Sequence, residues 1–469
     1  MHIRLHRTQT QASTGVITNT HDDMTAETTA PVNKNAEARP EVPPSVPFES
    51  FPFFNTGDVA VHTRMGDIEL YYRLHSEVLS RNSSYFQEEI EEASSSSEPL
   101  YFEFELDPSE QLPWLVWKPE LAQQFDLEIE KENPQDTADE FDSRLRIDDA
   151  AGKDFMTLSP HSNQNDGPIL ERATDITVLR IHKEIFGMFY NFPPAISTTD
   201  INRALNHAEL LVIMSARLGC VQVLRPFLNA HFSDFGQALY NAIARDPPGW
   251  FKLSVFLENT AIYKEAYTHL VGAWFSPWNW ISTKYLIPTD ILLSIEEKAK
   301  SLDAKCVIAQ RDLMIMEITE NDGKPIEVSS TGDSVETWIV MAIYRDWIAK
   351  ELGACTHLAR DESTGRLVTD FDMRKLGALF RKIGKGGDAY LKSEDVLAEV
   401  KKQGGFGEGK WEWLELDLKG LKEMGQHVVE ELTKNETHVD VEALGVRHLT
   451  CCKVEDEDVP WLRERGEGV

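Results

Sequence analysis

GGFGEGK at 404–410 places Gly404, four residues, then Gly409 and Lys410, the glycine–lysine spacing of a loop that cradles phosphates. Such a loop needs Ser or Thr next, to hold Mg²⁺, and a strand before it. Here Trp411 follows, and a helix ending near Gln403 precedes. A flexible glycine loop between helices explains the stretch. An enzyme with a nucleotide site in this C-terminal region is the alternative it leaves.

GKGGDAYLKSED at 384–395 resembles the spacing of a calcium loop between two helices. Setting Leu391 at the apolar eighth place puts Gly384, Gly386 and Asp388 at the first, third and fifth, and Asp395 at the twelfth. Two carboxylates cannot supply the six or more oxygens that Ca²⁺ takes. His438, His448, Cys451 and Cys452 offer zinc-ligand types. The two cysteines are adjacent, however, and no Cys-x-x-Cys pair exists. His75 shares its motif with no Ser or Cys nucleophile, and Cys220 reads as packed core. The residues thus predict no catalytic, cofactor or metal site, and a protein that is not an enzyme.

The elements that position these groups begin at residues 57–86. DVAVHT (58–63) and DIELYYR (67–73) alternate apolar and polar side chains, which suits strands with one buried face. Arg64-Met65-Gly66-Asp67 links them as a hairpin. Val78, Leu79, Tyr85, Phe86 and Ile90 then adopt helical spacing, with Asn82-Ser83 capping between two short pieces. LYFEFEL at 100–106 alternates strictly and predicts a further strand.

This stretch resembles the BTB/POZ domain. The family's signature is an aspartate opening the first strand, then His, Leu, Ser and Phe at offsets of zero, four, eight and eleven. Here those are Asp58, His75, Leu79, Ser83 and Phe86. The whole chain looks most like the long, divergent BTB proteins of fungal type. The resemblance implies an α+β, mostly α fold, with a BTB/POZ core of a small sheet and helices, extended by helical regions. It makes LYFEFEL the third strand and His75 a structural residue against the sheet. It makes HAELLVIMSARLGCVQVLRPFL (207–228) the closing pair of helices. It implies an adaptor or scaffold with protein partners, self-associating as a homodimer. In the alternative, a cullin docks on residues 173–230 and the chain holds substrates for a ubiquitin ligase.

Around that core, residues 1–47 are polar and predict a disordered tail. The BTB-like domain spans 48–230 and carries an acidic insertion at about 107–168. Glu88 to Ser97 reads as an acidic, serine-rich linker, and an amphipathic piece falls near 112–127. Residues 87–150 hold 20 acidic and 4 basic side chains, about half of the chain's formal −31. A helical extension covers 231–320, stopped at Pro247-Pro248 and continued by a long helix over Ile291–Ile318 that takes in Leu302, Ile308 and Met314. After a turn-rich linker, a C-terminal helical domain covers 335–455, with helices at 371–383, 393–402 and 414–433.

So acidic a chain repels phosphate backbones and anionic membranes at long range. Its sequence shows no zinc-finger spacing or Lys/Arg cluster, which predicts no nucleic-acid partner. No apolar run reaches the ~18 residues of a membrane helix, which predicts no membrane partner. Five scattered cysteines suit a reducing compartment, cytoplasmic or nuclear.

Overall fold

Alternation builds the sheet. In the computed structural model β1 (Val59–Met65) and β2 (Ile68–Leu74) form an antiparallel hairpin, with Val59 opposite Leu74 and Val61 opposite Tyr72. β3 (Leu100–Leu106) lies parallel to β1, and β4 (Pro113–Trp117) antiparallel to β3, giving the order β2-β1-β3-β4. The register sets Val59, Val61, Leu70, Tyr72, Phe102 and Leu115 on one buried face. Tyr71 and Tyr101 form a small cluster on the other, where His62 stacks on Tyr71 at 4.6 Å.

The described residues are 51–65, 68–96, 100–106, 113–121, 175–274, 287–319, 324–327, 334–360, 367–371, 373–402 and 411–466. By its contacts the chain divides into Met1–Phe48 and Glu49–Val469, and every described residue belongs to the second unit. The expected disordered tail, most of the acidic insertion, the loop 404–410 and the tryptophans at 278 and 280 lie outside the described residues.

Two helices follow the hairpin, α1 (Ser76–Asn82) and α2 (Ser84–Ser96). The expected linker at 88–97 is therefore mostly helix. Its serines bond inside the helix, Ser94 Oγ donating to the Ile90 carbonyl at 2.7 Å. That satisfies hydroxyls which otherwise compete with helix formation. The amphipathic piece expected near 112–127 is instead strand β4 and a short 3-10 turn at Pro119–Leu121. PWLVW has β-rich residue types, and β3 offers it an open edge.

α3 (Asp175–Phe189) packs beneath the sheet, with Phe186 edge-on to Tyr72 at 5.0 Å. α4 (Ile201–Arg217) starts on Asp200, whose carboxylate accepts from the Asn202 and Arg203 amides. α5 (Val221–Ser233) follows the break at Leu218-Gly219-Cys220. α6 (Gln237–Arg245) and α7 (Pro247–Leu257) come next. Pro247-Pro248 thus opens a helix as well as following one. A first-turn proline gives up an amide that would lack a helical acceptor anyway, and Asp246 accepts from the Gly249 amide at 3.3 Å.

α8 (Thr260–Gly272) leads to the long α9 (Thr289–Ile315). α9 buries Ile291, Ile295, Ala299, Leu302, Cys306, Ala309 and Leu313. Ile308 and Met314, which the expected helix takes in, lie on it and are exposed. At 100° per residue they fall off a stripe drawn through Leu302.

α10 (Ser334–Ala354) precedes a hairpin of β5 (Thr356–Arg360) and β6 (Leu367–Phe371). α11 (Met373–Lys385), α12 (Ser393–Lys402), α13 (Trp411–Val429) and α14 (Pro460–Gly466) complete the chain. The helix expected from 371 starts two residues later, because Phe371 ends β6. The fold is α+β, mostly α. Buried apolar side chains from Val59 to Trp461 form one cluster. Both sides of the expected 321–334 linker share it: Tyr263 Oη donates to the Asp458 carbonyl at 3.1 Å, and Trp461 Nε1 to Thr260 Oγ1 at 3.0 Å. Among the described residues no helix is long and apolar enough to cross a membrane.

Candidate functional site

The turn from β2 into α1 leaves the first amides of a short helix without partners. Asp58, at the start of β1, supplies one. Its Oδ1 accepts from the Ser76 amide at 2.7 Å and its Oδ2 from Ser76 Oγ at 2.6 Å. A carboxylate here also faces the positive end of the helix. His75, one residue earlier, makes no side-chain cap bond. Its amide donates to Tyr190 Oη at 2.9 Å, its Nδ1 lies 3.2 Å from the same oxygen, and its Nε2 lies 2.9 Å from Thr56 Oγ1. Partial burial pushes the Tyr190 phenol up, so it stays a hydroxyl. With both ring nitrogens in hydrogen bonds, His75 ties the sheet edge to the end of α3.

Leu79 is fully buried. Ser83 sits between α1 and α2 and works in two directions. Its Oγ donates to the Leu218 carbonyl at 2.5 Å and accepts from the Phe86 amide at 3.2 Å. The Ser84 amide donates to the Gly219 carbonyl at 3.3 Å. Gly219 has φ of +62°, and a Cβ there would collide with Ser84 Oγ. A left-handed glycine and a serine therefore form the joint between α1-α2 and α4-α5. Phe86, also fully buried, meets Phe102 edge-on at 5.2 Å and Phe186 at 6.1 Å. The five residues singled out from the sequence are thus brought to the region where sheet, α1-α2 and closing helices meet.

The other motifs fall elsewhere. In the loop 384–395, Lys422 Nζ donates to the carbonyls of Gly387 at 2.7 Å and Leu391 at 2.9 Å. That ammonium holds the carbonyls at the fourth and eighth places of the loop, neither of which is a ligand place of the calcium pattern. His438 and His448 approach α8 at separate points. Glu265 accepts from the His438 amide at 3.0 Å and lies 2.8 Å from its Nδ1. His269 Nε2 is 3.7 Å from the other Glu265 oxygen, and His269 Nδ1 is 2.9 Å from His448 Nε2. Among the described residues no group of three His, Cys, Asp or Glu could hold a metal ion. Burial pushes the Cys220 thiol up to about 12 and Cys451 up to about 11, so both are poor nucleophiles.

Sequence reasoning passed over Glu265 and His269. Their signal is two titratable residues, four apart, in the otherwise apolar run AYTHLVGA and its flank. Compared with known proteins, the chain matches no family model, no curated protein and no solved structure.

Proposed function

We propose that this chain is a protein-interaction protein built on a BTB/POZ-type core, acting as a self-associating scaffold or adaptor inside the cell. One observation carries the reading. Asp58, His75, Leu79, Ser83 and Phe86, spaced as in the BTB signature, are the joints between the hairpin, α1-α2 and the closing helices. A hairpin, a helical pair, a parallel third strand and a Leu-Gly-Cys break between two helices surround them. The hydroxyls and imidazole at this site bond to one another, to the Asp58 carboxylate and to backbone, which supports a binding role over turnover.

Light scattering of the full chain at micromolar concentration tests self-association. A mass near twice 53.2 kDa is expected. A monomer mass that persists as concentration rises sinks the homodimer.

A further inference from the structure

Against a formal charge of −31, one cleft of about 520 Å³ is lined by four cations and a single carboxylate. Arg381, Lys382 and Lys385 come from α11, Arg447 from the segment facing it, and Glu442 from the same segment. This corrects the expectation of no Lys/Arg cluster: Arg381, Lys382 and Lys385 lie within five residues of α11, and the fold adds Arg447 to them.

The cleft is a built feature. Arg381 spends its guanidinium on the wall, donating to the His448 carbonyl at 3.0 Å and to the Val446 carbonyl. The Ala378 amide donates to the Arg447 carbonyl at 2.9 Å, and the Val446 amide to the Val441 carbonyl at 2.8 Å. Asp440 accepts from the Glu442 and Ala443 amides at 3.0 Å each. Gly445, on the rim at φ +66°, leaves open space where a Cβ would stand. The backbone of the segment carrying Arg447 and Glu442 is therefore pinned to α11, which fixes where the two side chains start.

Three cations remain for a ligand. Arg447 is exposed and has no ion pair with a described residue. Lys385 pairs with Glu442 at 2.6 Å, both about half exposed, and Lys382 pairs with Glu351 at 3.2 Å. Exposed pairs of this kind are weak and yield to a better-matched anion. A guanidinium fork and two ammonium groups suit the oxygens of a phosphate. The cleft exceeds what a bare phosphate fills and falls in the usual range for small-molecule sites.

We propose that this cleft binds a phosphorylated small molecule, a phosphate monoester or diphosphate, with Arg447 and Lys385 as its main contacts and Lys382 beside them. Glu442 holds Lys385 when the site is empty and opposes the anion.

Calorimetric titration of the full chain with inorganic pyrophosphate at low salt tests this. Binding with Kd below ~1 mM, weakening as salt rises, is expected. Arg447→Gln should weaken it about tenfold, as for loss of one charge-assisted hydrogen bond. Arg447→Gln changes an exposed side chain, so its fold should hold. Glu442→Gln should tighten binding several-fold, a sign that a purely structural role would not give. Lys300→Glu, exposed on α9, should leave binding unchanged. No heat at ~5 mM pyrophosphate, or wild-type affinity in both Arg447→Gln and Glu442→Gln, would overturn the proposal.

Discussion

His269 Nδ1 lies 2.9 Å from His448 Nε2, and both rings are out of solvent, although 179 positions separate them in the chain. One ring must donate and the other accept, so the contact requires at least one neutral imidazole. Burial, then the neighbouring His269 and Arg381, pulls His448 down to about 3. The structure thus commits residues 446–452 to α8 through a pair that acid opposes.

Stability should fall on acidification, in two stages. His448 and His182, lowered by burial to about 3 and about 4, stay neutral in the fold while the unfolded chain protonates near 6.5. Each contribution is complete above 6.5 and is lost as pH falls toward the folded value, at about 1.4 kcal/mol per pH unit. Glu209, raised by burial to about 7, acts the opposite way: its protonated native form gains stability as pH falls from there to 4.5. One histidine is thus offset between 6.5 and 4.5, and the loss steepens below. Thermal melts from about pH 7 to pH 4 should show a shallow decline and then a steep one. A flat profile would contradict the burial of these rings.

Phe86→Ala should cost ~3–5 kcal/mol, from lost burial plus the cavity left between Phe102 and Phe186. Against a total of ~5–15 kcal/mol, that is enough to leave the protein poorly folded. Chemical denaturation of the variant and the parent chain measures it. A midpoint unchanged by the substitution would place residue 86 outside the core and remove the main support for the BTB reading.

Much of the sheet was legible because alternation is local. Val59, Val61, Leu70 and Tyr72 declare a buried face within a few residues, and Phe102 does the same for β3. Leu79, Ser83 and Phe86 were singled out by the resemblance to the BTB/POZ signature. β4 was hidden because five residues inside an acidic, proline-marked stretch are too few to show a period, and only pairing with β3 makes them a strand. Pro247-Pro248 stops α6 as expected, but that it also opens α7 was hidden, because proline signals both the end of one helix and the first turn of the next. The long helix through Leu302, Ile308 and Met314 was legible, but not which of its apolar residues are buried, because it carries them on more than one face. The His269–His448 pair could not be read at all, and the joining of Arg447 to the Arg381, Lys382 and Lys385 run could not be read either. Each joins residues whose separation in sequence carries no periodic signal, and packing alone brings them together.

Close backbone approaches hold the segment 446–452. It runs between α8 and α11, and each helix meets it with a glycine. A Cβ on Gly272 would strike the Leu449 carbonyl, and one on Gly377 would strike the backbone of Arg447 and His448. These are backbone obstacles, so no side-chain rotation relieves them. Gly272→Ala should push the segment off α8, breaking the His269–His448 bond and the bond from Thr268 Oγ1 to the Cys452 carbonyl. In an open helix the same change would stabilise by up to ~1 kcal/mol through propensity. Here the sign should reverse, with a loss of ~1–3 kcal/mol. Gly353→Ala, on α10 where a Cβ meets nothing within 4 Å, provides the helical control. Limited proteolysis should cut Gly272→Ala and Gly377→Ala near 446–452 faster than the parent chain, with Gly353→Ala no faster. Equal cleavage in all four would show that the segment does not depend on these close approaches.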